Sequence, residues 1–273
     1  MTTYAFSHAT ALEEQLACLQ SCLDPTTIGQ LGPIHKGARC WEIGAGAGSI
    51  AAYLADQVGP TGHVLATDID ISQLDHLRKR TNVTVVEHDI TTLTAPDPGP
   101  YDLIHARLVL LHLPQRHDIL PRLANHLTPG GLLVIEEFDC TQPPTLTRST
   151  SSTDQELVTR VIGAILATLE SNGADLAWAR HVPEAMRTAG LVDITTTTTL
   201  HTGPGGSPAA RLHAINARQL AAHLTGRGIT DTDLDRFHTL MHHPDTTVSL
   251  YPQVSTRGRR PTDQPPATPG RAT

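Results

Sequence analysis

The segment Glu42-Ile43-Gly44-Ala45-Gly46-Ala47-Gly48 sets three glycines at alternate positions, where the short strand predicted at Cys40–Ile43 ends. Lacking Cβ atoms, glycines let a backbone turn sharply under a ligand, and a helix that follows offers unpaired N–H groups. A turn of this kind joins a strand to a helix, so the chain around it has to be α/β. Close packing alone also selects such glycines. Taken alone, the turn leaves a nucleotide-like ligand and a structural role both open.

The flanking pattern supports the α/β reading. Ser49 to Val58 carries Ile50, Leu54 and Val58 on one helical face and stops at Gly59-Pro60. Strands are predicted at His63–Thr67, Val83–Glu87, Tyr101–His105 and Gly131–Phe138, with helices at Ser72–Arg80 and Gln115–Leu127 between them. This alternation implies βαβ units, a mostly parallel sheet and helices on both of its faces. Upstream, the spacing predicts a helix over Ala11–Leu23, with Asp24–Gly37 partly helical and then a linker. Downstream, Thr141–Ser152 reads as an exposed loop. Helices follow at Asp154–Glu170, with Asp154 as N-cap, and at Pro183–Ala189, Ala209–Leu224 and Asp231–Met241. Leu191–Leu200 and Thr247–Val254 are the remaining strands. The tail, 257–273, has no apolar anchors and reads as disordered.

Two acids sharpen the ligand question. Asp68 ends the second strand about 20 residues after the glycine turn, where a carboxylate can take both hydrogens of a ribose diol. Asp89 ends the third strand, where one can accept from an adenine amino group. Nicotinamide enzymes favour G-x-G-x-x-G, whose last glycine would fall at Ser49. Here the spacing is G-x-G-x-G and an acid, Glu42, stands two residues before the first glycine. A pyrophosphate wants a bare helix N-terminus. An acid there suits a ligand with a positive end, such as an amino acid or a sulfonium.

The stretches WEIGAGAGSIAAYLA, HVLATDID, VEHDI, YDLIHARLVLLHLP and LTPGGLLVIEEFD resemble, in order and spacing over residues 38–140, the class I S-adenosylmethionine-dependent methyltransferases. The remainder is similar to actinobacterial small-molecule methyltransferases of natural-product type. The resemblance implies a Rossmann-like seven-stranded sheet with a reversed last hairpin formed by the two late strands. It implies that Glu42, Gly44, Ala45, Gly46 and Gly48 surround the methionyl part of S-adenosyl-L-methionine. Asp68 would meet the ribose, Ile69, Asp89 and Ile90 the adenine, and Ala106 and Arg107 the methionyl amino group. Tyr4, in an N-terminal lid segment, would close over the donor. The domain reading is an N-terminal helical lid and linker at 1–37, a donor-binding core at 38–140, and a helical cap with the last strands at 141–256. The tail follows.

Methyl transfer from a sulfonium is an in-line displacement in which the protein aligns donor and acceptor and excludes water. A base is required only where the acceptor must lose a proton. His112 is a candidate, although the plainer reading, that it caps a turn before Pro114, stands ahead of it. Of Glu136 and Glu137, strand alternation allows one at most to reach the site, and Glu136 is favoured. The 16 histidines invite a metal, but His242-His243 point apart on a helix and no ligand spacing is present, so no metal site is expected. Cys18 and Cys22 read as buried thiols.

Composition trims the alternatives. Lys+Arg 20 against Asp+Glu 27 argues against a nucleic-acid partner, as do only nine aromatic rings (Trp 2, Tyr 4, Phe 3). The absence of a leader pattern or a bilayer-length apolar run predicts a cytoplasmic protein with no membrane partner. A homodimer stays open. The expected activity is methyl transfer to a small-molecule acceptor in secondary metabolism, O- or N-methylation ahead of C-methylation. The rivals are an NAD(P)-dependent oxidoreductase and a non-catalytic binding protein on the same fold.

Overall fold

A computed structural model describes residues 9–92, 96–97, 99–148 and 151–262. A long helix, α1 (Ala9–Leu31), precedes the alternating core: β1 (Arg39–Ile43), α2 (Ser49–Val58), β2 (His63–Asp68), β3 (Val83–Glu87), β4 (Tyr101–Arg107), α3 (Arg116–Asn125) and β5 (Leu127–Phe138). Then come β6 (Leu146–Arg148), α4 (Ser152–Ser171), α5 (Trp178–Thr188), β7 (Val192–Thr199), β8 (Thr202–Pro204) and α6 (Pro208–Gln219). The chain continues through α7 (Ala221–Thr225), α8 (Asp231–His242), β9 (Thr247–Ser249) and β10 (Gln253–Arg259).

The main sheet has seven strands in the order β3-β2-β1-β4-β5-β10-β7. The first five pair in parallel, while β10 runs antiparallel to both β5 and β7. This is the expected α/β architecture with its reversed strand. A second sheet, β6-β9-β8, sits within the cap.

Strand parity divides the core. Trp41, Ile43, Ile104 and Ile135 pack on α3 and α5, whereas Cys40, Val64, Leu103 and Val134 pack on α2 and Leu31 of α1. Central parallel strands covered on both faces read as mostly apolar runs, interrupted here by Glu42, His105 and Glu136. A third cluster joins α1, α4, α6 and α8 beneath the cap.

Several boundaries differ from the sequence reading. α1 runs through Pro25 to Leu31 rather than ending at Leu23. A proline inside a helix costs roughly 3 kcal/mol, and tertiary partners offset it: Thr27 and Leu31 are buried, and Arg107 donates to Asp24 at 2.8 Å. Ser72–Arg80 forms turns with only a short 3-10 segment, Leu77–Lys79. Ser151 caps α4, accepting from the Thr153 N–H at 3.2 Å. Asp154 lies inside the first turn and pairs with Arg236 at 2.9 Å. The expected strand 247–254 splits into β9 and β10 around Tyr251-Pro252. Arg257–Arg259, placed in the tail by the sequence, therefore belong to the sheet, while residues 263–273 lie outside the described residues.

Candidate donor-binding site

The C-terminal ends of β1 to β4 share one edge of the sheet, and a cavity of about 330 Å³ opens there. The glycine turn forms its base. Gly44 has φ +67°, and a Cβ added to it would stand 2.3 Å from Val109 Cγ2, so this position excludes any side chain. Asp68 ties the turn to β2. Its Oδ2 accepts from the Gly46 N–H at 2.8 Å and its Oδ1 from the Asp70 N–H at 3.1 Å. Burial raises its pKa, opposed by these backbone hydrogen bonds. Asp89 closes β3 with Oδ1 accepting from the Thr91 N–H and hydroxyl at 2.9 and 2.7 Å, and these bonds hold its carboxyl below the usual range. Ile69, 55% exposed, lines the cavity between the two acids, with Ile90 buried nearby.

The remaining walls come from α1, through Leu12, Leu16, Leu19 and Gln20, and from the exit of β4. There Leu108 adopts φ 56°, a conformation that L-residues rarely take, and its N–H donates to the Glu136 carbonyl at 2.8 Å. Val109, His112 and Leu113 follow it along the cavity. Burial, together with Arg116, pushes the His112 imidazole down to about 4, so it is neutral at pH 7.

Beneath the base lies a buried polar chain. His105 Nδ1 contacts Glu42 Oε2 at 2.7 Å and its Nε2 faces Glu136 Oε2 at 3.3 Å. Burial alone would depress this imidazole, but the two carboxylates raise it to about 9. Glu136 also accepts from the hydroxyls of Thr27 and Ser255. Burial would raise its pKa, but these contacts and His105 hold it low. On the opposite face of β5, Glu137 Oε1 accepts from the Leu110 and Leu111 N–H groups at 2.8 and 3.2 Å. Burial lifts Glu137 to about 8, and its Oε2 has no partner among the described residues.

Comparison with known proteins bears on this edge of the sheet. Residues 41–133 match a family model described as a methyltransferase domain. Methyltransferase str3 of Strobilurus tenacellus is 30% identical over 140 residues, 50% of each chain. Trans-aconitate 2-methyltransferase of Variovorax paradoxus is 35% identical over 114 residues, 41% of this chain and 43% of the relative. This chain thus spans about half, or less, of the curated relatives' length. Among solved structures, phosphoethanolamine N-methyltransferase 2 of Haemonchus contortus, in complex with S-adenosyl-L-methionine, gives a TM-score of 0.51 at 16% identity, covering 91% of this chain and 52% of that one. The YcgJ protein of Bacillus subtilis gives 0.54 at 12% identity, covering 93% and 99%. At such identities the structural likeness is one of fold.

Over residues 41–133 this chain is similar to methyltransferases.

Within this methyltransferase-like region, Glu42, Gly44, Ala45, Gly46, Asp68, Ile69, Asp89, Ile90, Arg107 and His112 all line the cavity. Gly48 does not; it starts α2 against Leu74 and Leu77. Ala106 is sealed within the sheet between Ile43 and Ile135. Glu136, favoured over Glu137 as a candidate base, is corrected: it is fully buried beneath the floor of the cavity and does not line it. Strand parity correctly separates it from Glu137, but both faces of β5 are covered, so neither acid reaches the cavity. Tyr4 lies outside the described residues. The α1 leucines, Gln73, His88 and His105 were not singled out from sequence. Only the helical spacing of Leu12, Leu16 and Leu19 pointed to a shared face. Among the described residues no cluster of three metal-ligating side chains occurs.

Proposed function

We propose that this protein transfers a methyl group from S-adenosyl-L-methionine to a small-molecule acceptor, with O- or N-methylation ahead of C-methylation. The observation that carries the reading is the charge of the cavity: Glu42, Asp68, Asp70 and Asp89 line it, while its one lysine or arginine among the described residues, Arg107, turns its guanidinium to Asp24 and Thr27 at 2.8 Å each. Acids at the base and rim suit a ribose diol, an adenine amino group and an ammonium end. The same acids would repel the pyrophosphate of a nicotinamide cofactor, which disfavours the oxidoreductase. The close approach at Gly44 fits a ligand lying directly on the backbone.

When bound, the donor supplies an electrophilic methyl group on a sulfonium. Asp68 and Asp89 hold the nucleoside, the glycine turn sets its depth, and the α1 leucines exclude water. An apolar acceptor without negative charge fits the wall made by Leu12, Leu16, Leu108 and Leu113, in keeping with natural-product chemistry. His112, neutral at pH 7 and too weak a base at about 4 to carry off a proton, is placed to accept a hydrogen bond from an acceptor hydroxyl and orient it. We read the protein as cytoplasmic; among the described residues no helix is long and apolar enough to cross a membrane.

Isothermal titration with S-adenosylhomocysteine tests the reading. Micromolar binding that Asp68→Ala weakens at least tenfold is the expected result. Tighter binding of NADH than of S-adenosylhomocysteine would return the weight to the oxidoreductase. Once an acceptor is found, His112→Ala is expected to lower turnover about tenfold while S-adenosylhomocysteine affinity changes little. An unchanged turnover would assign His112 to the turn alone.

A further inference from the structure

Glu42 is the acid at the base of the cavity, and its position is set by what stands behind it. β1, β4 and β5 are parallel neighbours in which Glu42 is in register with His105 and Arg107 with Glu136. Side chains two apart on a strand share a face, so Glu42, His105 and Glu136 form one row beneath the glycine turn. His105 is 0% exposed and bridges the two carboxylates at 2.7 and 3.3 Å. Glu136 is fixed in turn by the hydroxyls of Thr27 on α1 and Ser255 on β10. The ionisable groups around the imidazole are Glu42 on β1, Glu136 on β5 and Arg107 on its own strand. Arg107 is paired with Asp24. Of the row, only Glu42 touches the cavity.

We propose that His105 is a positioning residue for donor binding: anchored by Glu136, it holds the Glu42 carboxyl in place and aimed at the ammonium end of the donor's methionyl chain. The proposal rests on the donor reading above. The physical reason lies in burial. Removed from water, Glu42 is driven toward its neutral acid, and the imidazolium beside it is the main opposing influence. Without that cation the carboxyl is driven further toward its neutral acid, which lacks the ion-pair attraction that a carboxylate offers an ammonium group. Two carboxylates in one buried row would also repel each other without the cation between them.

The test uses two ligands that differ only at this end. S-adenosylhomocysteine carries the amino-acid moiety, and 5′-methylthioadenosine lacks it. Titrations of wild type, His105→Gln, Glu42→Gln and the double variant separate the roles. Expected is a loss of about tenfold for S-adenosylhomocysteine in His105→Gln, a change under twofold for 5′-methylthioadenosine, and no added loss when Glu42→Gln is combined with it. Equal losses on both ligands would make His105 merely structural and overturn the proposal, as would an unchanged affinity for S-adenosylhomocysteine. If His105→Gln does not fold, Ser255→Ala, which loosens Glu136, is read by the same criteria with an expected loss of about threefold. Failure of the wild type to bind S-adenosylhomocysteine would instead sink the donor reading itself, and the proposal with it.

Discussion

A methyl group at position 44 would occupy space that Val109 already fills, on a backbone turned to φ +67°. Gly44→Ala is therefore expected to destabilise the fold by roughly 1–3 kcal/mol and to abolish S-adenosylhomocysteine binding; urea unfolding and titration would measure the two effects separately. Glu137 makes a different kind of prediction. Its folded-state value, about 8, lies above that of an unfolded glutamate, so the folded protein holds the extra proton between about 4.5 and 8. Its contribution is present below that window and lost as pH rises through 8. Glu137→Gln keeps an acceptor for the Leu110 and Leu111 N–H groups, so unfolding midpoints measured from pH 6.5 to 8 should decline less steeply in the variant. At this scale the sequence was readable where a residue's role is local. Glu42, Asp68 and Asp89 end strands beside the glycine turn, and pattern alone finds strand ends. His105 was not readable, because its meaning depends on three strands lying side by side.

Among the elements, α1 does two separate jobs. Its first half supplies Leu12, Leu16 and Leu19 to the cavity, and its second half bonds to β4, β5 and β10 through Asp24, Thr27 and Gln30. Leu16 is half-buried and approaches the Cβ position of Gly46 to 3.0 Å. Shortening it should cost little stability while opening the wall. Leu16→Ala is expected to weaken S-adenosylhomocysteine binding about fivefold, roughly 1 kcal/mol, with a melting temperature close to wild type. A large fall in melting temperature would place Leu16 in the core instead. The sequence stopped this helix at Pro25 because proline is a local breaker. What carries the helix onward is Arg107, Glu136 and Arg257, which are distant in sequence and invisible to a local reading. The Asp154 cap failed for the mirrored reason: Ser151 sits one turn earlier and was counted as loop.

For the molecule as a whole, the four groups displaced furthest around neutral pH lead how stability follows pH. His112 and His213 are both held near 4, His213 by burial despite its 2.9 Å contact with the Ser249 carbonyl. Each folded imidazole refuses the proton that its unfolded form accepts below about 6.5, so stability falls as pH drops from 6.5 toward 4. His105 works in the opposite sense. Its folded value is about 9, so its contribution is complete below about 6.5 and lost as pH rises through 9. Glu137 adds to that alkaline loss. The urea midpoint should therefore peak near pH 6.5, and a maximum above pH 8 would contradict these assignments. The sheet of the 38–140 core was legible in outline because each βαβ unit announces itself locally. The end of the chain was not, since Pro252 and the polar run Gln253–Arg259 gain their place only by slotting between β5 and β7.

That slot has a consequence for how the protein is made. β7 is synthesised well before β10, yet the two are neighbours, so the growing sheet must keep a gap open until the C-terminal strand emerges from the ribosome. Glu136 receives Ser255 across 119 residues, and α1 receives Arg257 across 227. Contacts of such separation are slow to form. A nascent chain that stops short of residue 253 holds the glycine turn and both rim acids, but its α1 lacks the Arg257 tether and its sheet has an open edge. Donor binding should consequently appear late in synthesis, and the unfinished sheet is the stage at which this protein is most exposed to aggregation and proteolysis.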